Sequence, residues 1–140
     1  MSFVLDNSVT MRWFFGDGSE QDLGYAICVL DAMTDAPVIV PGIWSLEVAN
    51  VLARAEIKGL VSEARSEAFV GMLRRMDIAT DPATSVQTLS DTLHIARRYR
   101  LSSYDAAYLE LALRAALPIA TVDEDLLRAA QLAGVPRFDS

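Results

Sequence analysis

Cysteine, histidine and lysine are nearly absent from the sequence, which contains one of each: Cys28, His94 and Lys58. A single cysteine cannot form an internal disulfide, which is typical of a reducing compartment. The apolar neighbours of Cys28 predict a buried, inert thiol rather than a nucleophile. With these counts a His/Cys zinc site is excluded, and a serine or cysteine triad of the usual kind is disfavoured. His94 falls on the polar side of its helix, so we expect it to be solvated.

Positive charge and long apolar runs are also scarce. Nineteen acidic residues outnumber twelve basic ones and give a net charge of −7, which disfavours a protein that coats DNA by bulk charge. Metal ions or a local arginine patch can still supply positive charge to a nucleic-acid site. No apolar run is long enough to span a bilayer, and the N-terminus has no signal-peptide features. We therefore expect a cytoplasmic protein without membrane association, and its 140 residues predict one domain, residues 1–140.

Short β-branched segments alternate with segments of helical periodicity. Strands are predicted at residues 3–5, 37–40, 77–79 and 118–121, with a possible edge strand at 135–138. Helices are predicted at residues 9–15, 20–35, 43–58, 62–76, 85–99, 104–115 and 123–134. This alternation predicts an α/β fold, a three-layer α/β/α sandwich with a parallel sheet of four or five strands.

Four acidic residues, Asp6, Glu47, Asp105 and Asp123, stand where a predicted strand has ended or a predicted helix begins. Ligands of parallel α/β sheets bind outside the carboxyl ends of the strands. Four carboxylates gathered at that edge repel one another unless a cation neutralises them. A divalent metal ion with oxygen ligands is the obvious cation.

Three of these acids have an ordinary structural explanation when each is taken alone. Asp6 and Asp123 are both suited to cap a helix, an interaction that contributes about 1 kcal/mol. Asp105 lies in a first helical turn, where an acid interacts well with the helix dipole. Ser103 already offers a cap to that helix, which leaves Asp105 free for another role.

Glu47 lies inside a predicted helix, where capping is not available. Its ordinary explanation is a solvated helix face, which Asn50 shares one turn later. Only the combination of Glu47 with the other three acids favours a metal site over the separate structural explanations.

The acids and their neighbours resemble the motifs of the PIN-domain family. The resemblance rests on Asp6-x-Ser8, on Pro41 followed by Glu47-Val-Ala-Asn50, on Ser103-Tyr-Asp105-Ala-Ala-Tyr, and on Thr121-x-Asp123. It covers nearly the whole chain, and the order and spacing are similar to those of VapC-type toxins of toxin–antitoxin pairs.

The resemblance implies a PIN-like fold and assigns roles to individual residues. Asp6, Glu47, Asp105 and Asp123 become the catalytic, metal-binding acids, and further side chains become their supports: Ser8, Asn50, Thr121 and Asp125. The implied activity is a Mg²⁺- or Mn²⁺-dependent endoribonuclease acting on structured RNA such as tRNA or rRNA. The implied assembly is a homodimer inhibited by a small antitoxin protein.

The chemistry expected of such a site is attack on an RNA phosphodiester by a water molecule that the metal orients, which needs no histidine base. Asp105 or Asp6 would bridge two ions, and the choice between Asp123 and Asp125 as a ligand of the second ion stays open. Without metal, the charge of −7 should repel RNA.

Rival functions are less compatible with these residues. A haloacid-dehalogenase-like phosphatase needs an aspartate two residues after Asp6, where this chain has Ser8, and a receiver domain needs a lysine late in the chain, where there is none. Glycine-rich phosphate loops are missing. A catalytically silent interaction module with the same fold stays an alternative.

Residues 68–73 are a candidate dimer surface. The aromatic side chains are expected in the core or an interface rather than on a base-stacking surface: Trp13, Phe14, Phe15 and Trp44.

Overall fold

A parallel sheet forms the centre of the protein in a computed structural model that describes residues 2–139. Its strands are β1 Phe3–Leu5, β2 Val38–Val40, β3 Ile78–Thr80 and β4 Ile119–Ala120. The order across the sheet is β3-β2-β1-β4, and every pairing is parallel. The predicted α/β fold with a parallel sheet is therefore confirmed, with four strands in the described residues.

The possible fifth strand is reduced to one parallel bridge between Ile119 and Arg137. The amide of Ile119 donates to the carbonyl of Pro136 at 3.0 Å, and the amide of Phe138 donates to the carbonyl of Ile119 at 2.8 Å. Pro136 has no N–H to donate, so the ladder cannot extend through it.

Helices flank the sheet in the predicted order, although the helix predicted at residues 85–99 is divided. Their bounds are α1 Asn7–Phe15, α2 Glu20–Ala32, α3 Trp44–Ile57, α4 Glu63–Arg74, α5 Thr84–Gln87, α6 Leu93–Tyr99, α7 Ser103–Ala115 and α8 Glu124–Leu132. A π-helical turn, Thr88–Thr92, joins α5 to α6. No helix in residues 2–139 has the length and apolar character needed to cross a membrane.

The π-helical turn explains one wrong prediction. A single helix over the predicted residues 85–99 would place Val86 and Leu89 on the same apolar stripe as Ala96 and Tyr99, yet the side chains of Val86 and Leu89 are 74% and 86% exposed. A π turn uses i→i+5 hydrogen bonds, so the 3.6-residue periodicity does not continue through it. Ala96 and Tyr99, beyond the turn, pack against the core as predicted.

Cys28 is a second correction, because its side chain is exposed rather than buried. Helix α2 buries Ala26 and Val29 against the core. A residue two positions after Ala26 is rotated by about 200° around the helix axis, so it faces away from that contact. The apolar neighbours of Cys28 in sequence do not surround it in space.

The candidate dimer surface at residues 68–73 is largely used by the protein's own core. Phe69 and Leu73 are buried, and the ring of Phe69 packs against Phe14 with 4.7 Å between centroids. Trp44 is also buried, as the sequence predicted. These side chains therefore stabilise the fold of one chain.

Helix α7 is buried on all sides over residues 106–112. It contacts β1, β4 and α8, and it includes one buried acid, Glu110. Arg114 pairs with Glu110 through Nε–Oε2 at 2.8 Å and with Asp81 through Nη2–Oδ2 at 2.6 Å. Asp81 follows β3 and also accepts from the Thr84 hydroxyl at 2.9 Å. This network ties α7 to the end of β3.

Replacing Asp81 with asparagine should destabilise the protein. The Arg114 guanidinium holds the pKa of Asp81 below its usual value of 3.8, and loss of a charged, buried hydrogen-bond partner costs about 1.5–3 kcal/mol. Because this pKa is depressed, the stabilisation is present above pH ~4 and is lost as pH falls through the folded-state pKa. We expect urea unfolding at pH 7 to give a lower free energy of unfolding for Asp81→Asn than for the wild type. This difference should shrink under acidic conditions.

Asp17→Asn is the matched control for this test. Asp17 pairs with Arg12 at 3.3 Å, but its side chain is 66% exposed, and exposed pairs contribute at most about 1 kcal/mol. Equal free energies of unfolding for Asp81→Asn and the wild type at pH 7 would contradict a stabilising role for the network.

Candidate metal centre

Asp6 ends β1 and occupies the N-cap position of α1, but its side chain makes no capping hydrogen bond. Its Oδ2 instead accepts from the hydroxyls of Ser8 at 2.5 Å and Thr121 at 2.8 Å. The carboxyl group is buried, with 4% of the residue exposed. The capping explanation for Asp6 is therefore wrong.

Ser8 and Thr121 connect the ends of the adjacent strands β1 and β4. The hydroxyl of Ser8 accepts from the amide of Val122 at 3.1 Å, and that of Thr121 accepts from the amide of Asp123 at 3.0 Å. With these protons directed at them, both hydroxyls are oriented to donate to Asp6. The structure thus gives Ser8 and Thr121 contacts compatible with their predicted supporting roles.

The environment of Asp6 raises its pKa from 3.8 to about 6. Burial is the main cause, and the negative charges of Glu47 and Asp123 add to it, while the hydrogen bonds from Ser8 and Thr121 oppose it. The charges of three predicted site acids are therefore coupled.

Asp105 lies in the first turn of α7, and its backbone amide donates to the hydroxyl of Ser102 at 3.1 Å. Ser102, not Ser103, is the N-cap, so the predicted cap was displaced by one residue. Burial raises the pKa of Asp105 to about 6, followed in effect by the charges of Asp6, Asp123 and Asp125. The hydroxyl of Ser102 opposes this rise.

Glu47 lies in the first turn of α3 and is not a freely solvated side chain. Its Oε1 accepts from the hydroxyl of Tyr108, on α7, at 2.6 Å. Burial raises the pKa of Glu47, the Tyr108 hydrogen bond lowers it, and the charge of Asp105 raises it. The solvated-face explanation therefore does not hold for Glu47.

Tyr108 is a further site residue, which the candidate set predicted from the sequence does not include. It is fully buried, and burial together with the charges of Asp6 and Glu47 raises the pKa of its phenol, which stays a hydrogen-bond donor. A usable signal was present, because Tyr108 lies three residues after Asp105 on the same face of a helix. A buried tyrosine in that position needs a polar partner for its hydroxyl.

Asp123 does cap a helix, since its Oδ2 accepts from the amide of Leu126 at 2.8 Å. Its charge also raises the pKa of both Asp6 and Asp105, so capping and membership of the cluster coexist. Asp125 is exposed and pairs with Arg128 at 3.3 Å.

Asn50 is the candidate that the structure does not bring to the acids. Its side chain is exposed and makes no hydrogen bond within residues 2–139. It lines the same depression as Glu47, so it lies beside the cluster without supporting a carboxylate.

Three of the four acids share one pattern that bears on metal binding. Asp6, Glu47 and Asp123 each hold one carboxylate oxygen in hydrogen bonds, and the second oxygen has no partner among the described residues. Hydrogen bonds of this kind orient carboxylate ligands of metals. The oxygen donors fit Mg²⁺ or Mn²⁺.

No three His, Cys, Asp or Glu side chains within residues 2–139 are arranged so that they could hold an ion as they stand. Mg²⁺ usually keeps several waters and binds through one or two carboxylates, so it does not need an all-protein cage. The donor set therefore fits an ion that is held partly through water.

Comparison with known proteins places the chain among a described family. A family model described as "PIN domain" matches residues 3–132. No protein with a curated description matches the chain.

Two crystal structures are similar to this fold. PAE2754 from Pyrobaculum aerophilum is 20% identical, with 92% of this chain and 87% of that chain covered and a TM-score of 0.65. FitAcB from Neisseria gonorrhoeae is 16% identical, with 99% and 97% covered and a TM-score of 0.56. At these identities the likeness shows a shared fold.

Removing the charge of Asp105 should stabilise the metal-free protein at pH 7. Its folded-state pKa of about 6 lies above the usual 3.8, so the folded protein binds more protons than the unfolded chain between these values. The free energy of unfolding therefore falls as pH rises through this window. In EDTA at pH 7, Asp105→Asn should melt at a higher temperature, by about 3 °C for each kcal/mol.

The gain from Asp105→Asn should disappear below pH ~4, where the native carboxyl is protonated in both states. Asp31→Asn, on the exposed side of α2, removes the same charge and should change the melting temperature little. A melting temperature for Asp105→Asn at or below that of the wild type at pH 7 would contradict the repulsion.

Replacing Tyr108 with phenylalanine keeps the packing but removes the donor to Glu47. We expect Mn²⁺ affinity to fall by about 10–100-fold, the usual effect of losing a group that orients a ligand. Isothermal titration with Mn²⁺ measures it.

Tyr25→Phe is the matched control for Tyr108→Phe. It removes a hydroxyl that donates to the carbonyl of Phe138 at 2.7 Å and to none of the four acids. Equal Mn²⁺ affinity in the two variants would show that Tyr108 does not orient Glu47 for metal binding.

Proposed function

The chain belongs to the PIN domain family, and from that membership we propose that it is a metal-dependent endoribonuclease. We propose further that it is the VapC-type toxin of a toxin–antitoxin pair, on the resemblance of its motifs. The observation that carries the nuclease proposal is the electrostatic coupling within the acid set. Beyond the effect of burial, the charges of Glu47 and Asp123 raise the pKa of Asp6, and the charges of Asp6 and Asp123 raise that of Asp105. The charge of Asp105 in turn raises the pKa of Glu47. Such a cluster is costly without a cation.

The four acids would hold Mg²⁺ or Mn²⁺ through the carboxylate oxygens that have no protein partner. A bound divalent ion makes hydroxide available near neutral pH and neutralises charge that develops on a phosphate during hydrolysis. A histidine base is not needed, and His94 is exposed on α6, outside the acid cluster.

The remaining site residues position the acids. Ser8 and Thr121 direct two hydroxyl protons at one oxygen of Asp6 and leave the other free. Tyr108 does the same for Glu47 from the neighbouring helix α7. Since these donors are fixed before substrate arrives, the carboxylates need little reorganisation for an in-line attack of water on the phosphodiester.

We also propose the setting in which the protein acts. It would be a single cytoplasmic domain that forms a homodimer, cleaves structured RNA such as tRNA or rRNA, and is inhibited by a cognate antitoxin protein. The charge of −7 means that RNA should bind weakly until a divalent cation neutralises the acids.

Expression in a bacterial host separates the nuclease from a catalytically silent module. The wild type should arrest growth, whereas Asp105→Asn should not, although both fold. Asp31→Asn, with the same change of charge, should arrest growth like the wild type. Growth arrest by both the wild type and Asp105→Asn, or by neither, would count against the nuclease.

Purified protein provides the direct measurement. With Mn²⁺, the wild type should cleave total tRNA and rRNA, and EDTA should abolish cleavage. Asp105→Asn and Glu47→Gln should lower the rate by at least about 100-fold. A Mn²⁺-dependent rise in melting temperature, absent from Asp105→Asn, tests metal binding independently of turnover.

A further inference from the structure

A depression of about 480 Å³ lies directly beside the acid cluster. Three of its lining residues, Leu46, Glu47 and Asn50, follow Ile43 at the spacing of one face of α3. Tyr104, in the first turn of α7 and next to Asp105, completes the lining. Glu47 therefore belongs both to the acid cluster and to the wall of this depression.

Two exposed hydrophobic side chains line the depression. Leu46 is 70% exposed and Tyr104 is 59% exposed. Among the exposed large hydrophobic side chains of residues 2–139, Tyr104 is the one aromatic. The hydroxyl of Tyr104 and the amide of Asn50 make no hydrogen bond to the described residues, so both are available to a ligand.

We propose that this depression binds one unpaired base of the RNA substrate. The base stacks on the ring of Tyr104, contacts Leu46 and Ile43, and meets the side-chain amide of Asn50 along its edge. The inference rests on the proposed ribonuclease function and assigns a base-binding subsite next to the metal-binding acids.

The charges around the depression favour a base over other parts of RNA. Its lining within residues 2–139 contains no lysine or arginine, so it offers a phosphate no cationic side chain to pair with. A nucleobase is neutral, has a π face for stacking, and carries both donors and acceptors at its edge. The Asn50 amide also offers both donors and an acceptor.

The volume of the depression and the acid cluster beside it also fit an unpaired base. Small-molecule sites usually enclose about 300–1,000 Å³, a range that contains the observed volume. Because Glu47 is shared with the acid cluster, a base held on Tyr104 would place an adjoining phosphate of the same strand near the carboxylates. The subsite would thereby favour single-stranded or splayed segments over a paired duplex.

A fluorescence measurement tests the inference. The probe is a single-stranded RNA of about ten nucleotides that contains one 2-aminopurine. Ca²⁺ replaces Mg²⁺ to neutralise the acids, and gel electrophoresis verifies that the RNA stays intact. Stacking on Tyr104 should change the 2-aminopurine emission. Tyr104→Ala should abolish this change and weaken binding by about 5- to 150-fold, the range for loss of one base–aromatic stack.

Matched variants separate stacking from general effects on the fold. Tyr104→Phe keeps the ring and should bind within about twofold of the wild type. Leu46→Ala should cause a smaller loss than Tyr104→Ala. Leu89→Ala, which truncates an 86% exposed leucine on the π-helical turn, should change nothing. Equal Mn²⁺-dependent melting shifts in all four variants would show that the acid cluster is intact.

The outcomes distinguish this inference from the proposed function. Binding or cleavage of RNA by the wild type, with equal affinity and the same emission change in Tyr104→Ala, would overturn the subsite and leave the nuclease standing. If Tyr104→Ala weakened the binding of an abasic RNA or a paired duplex as much as that of the single-stranded RNA, this would also overturn the subsite, because neither ligand presents an unpaired base. No RNA binding and no cleavage by the wild type would overturn both.

Discussion

A buried carboxylate at the end of an inner strand of the sheet, β1, is the constraint around which the site is arranged. Asp6 is almost inaccessible to solvent, and burial of its charge is compensated by only two hydroxyl groups, from Ser8 and Thr121. Those hydroxyls come from the turns that follow β1 and β4, so the pairing of these two strands is what brings them to Asp6. The same pairing brings Asp123 close enough to influence the pKa of Asp6.

Helix α7 transmits this arrangement to the rest of the protein. Its first turn carries Asp105, its second carries the donor Tyr108, and its last holds Arg114, which pairs with Asp81 after β3. A helix buried on all sides cannot rotate without breaking packing on several faces. Asp105 on α7 and Glu47, which accepts from Tyr108, are consequently held by one rigid element rather than by a flexible loop.

Much of the fold follows from local sequence patterns, because short β-branched strands and capped helices leave strong signals. The acid set was also predictable, since its members stand at strand ends and helix starts. What the sequence could not supply were the partners reached across the fold, such as Tyr108 for Glu47, which lies 61 residues away. Burial was wrongly predicted where a side chain faces away from the core side of its helix, at Cys28 and at Leu89 beyond the start of the π-helical turn.

The acids differ in their structural roles, and this difference has a consequence for the evolution of such proteins. Asp123 caps α8 through the amide of Leu126, so a descendant that had lost catalysis would still keep this aspartate for the sake of its last helix. Asp105 is not the N-cap of its helix, and burial and its acidic neighbours raise its pKa. If the proposed nuclease function were lost, Asp105 would be replaced before Asp123, so the identity of position 105 would record whether selection for that function persists.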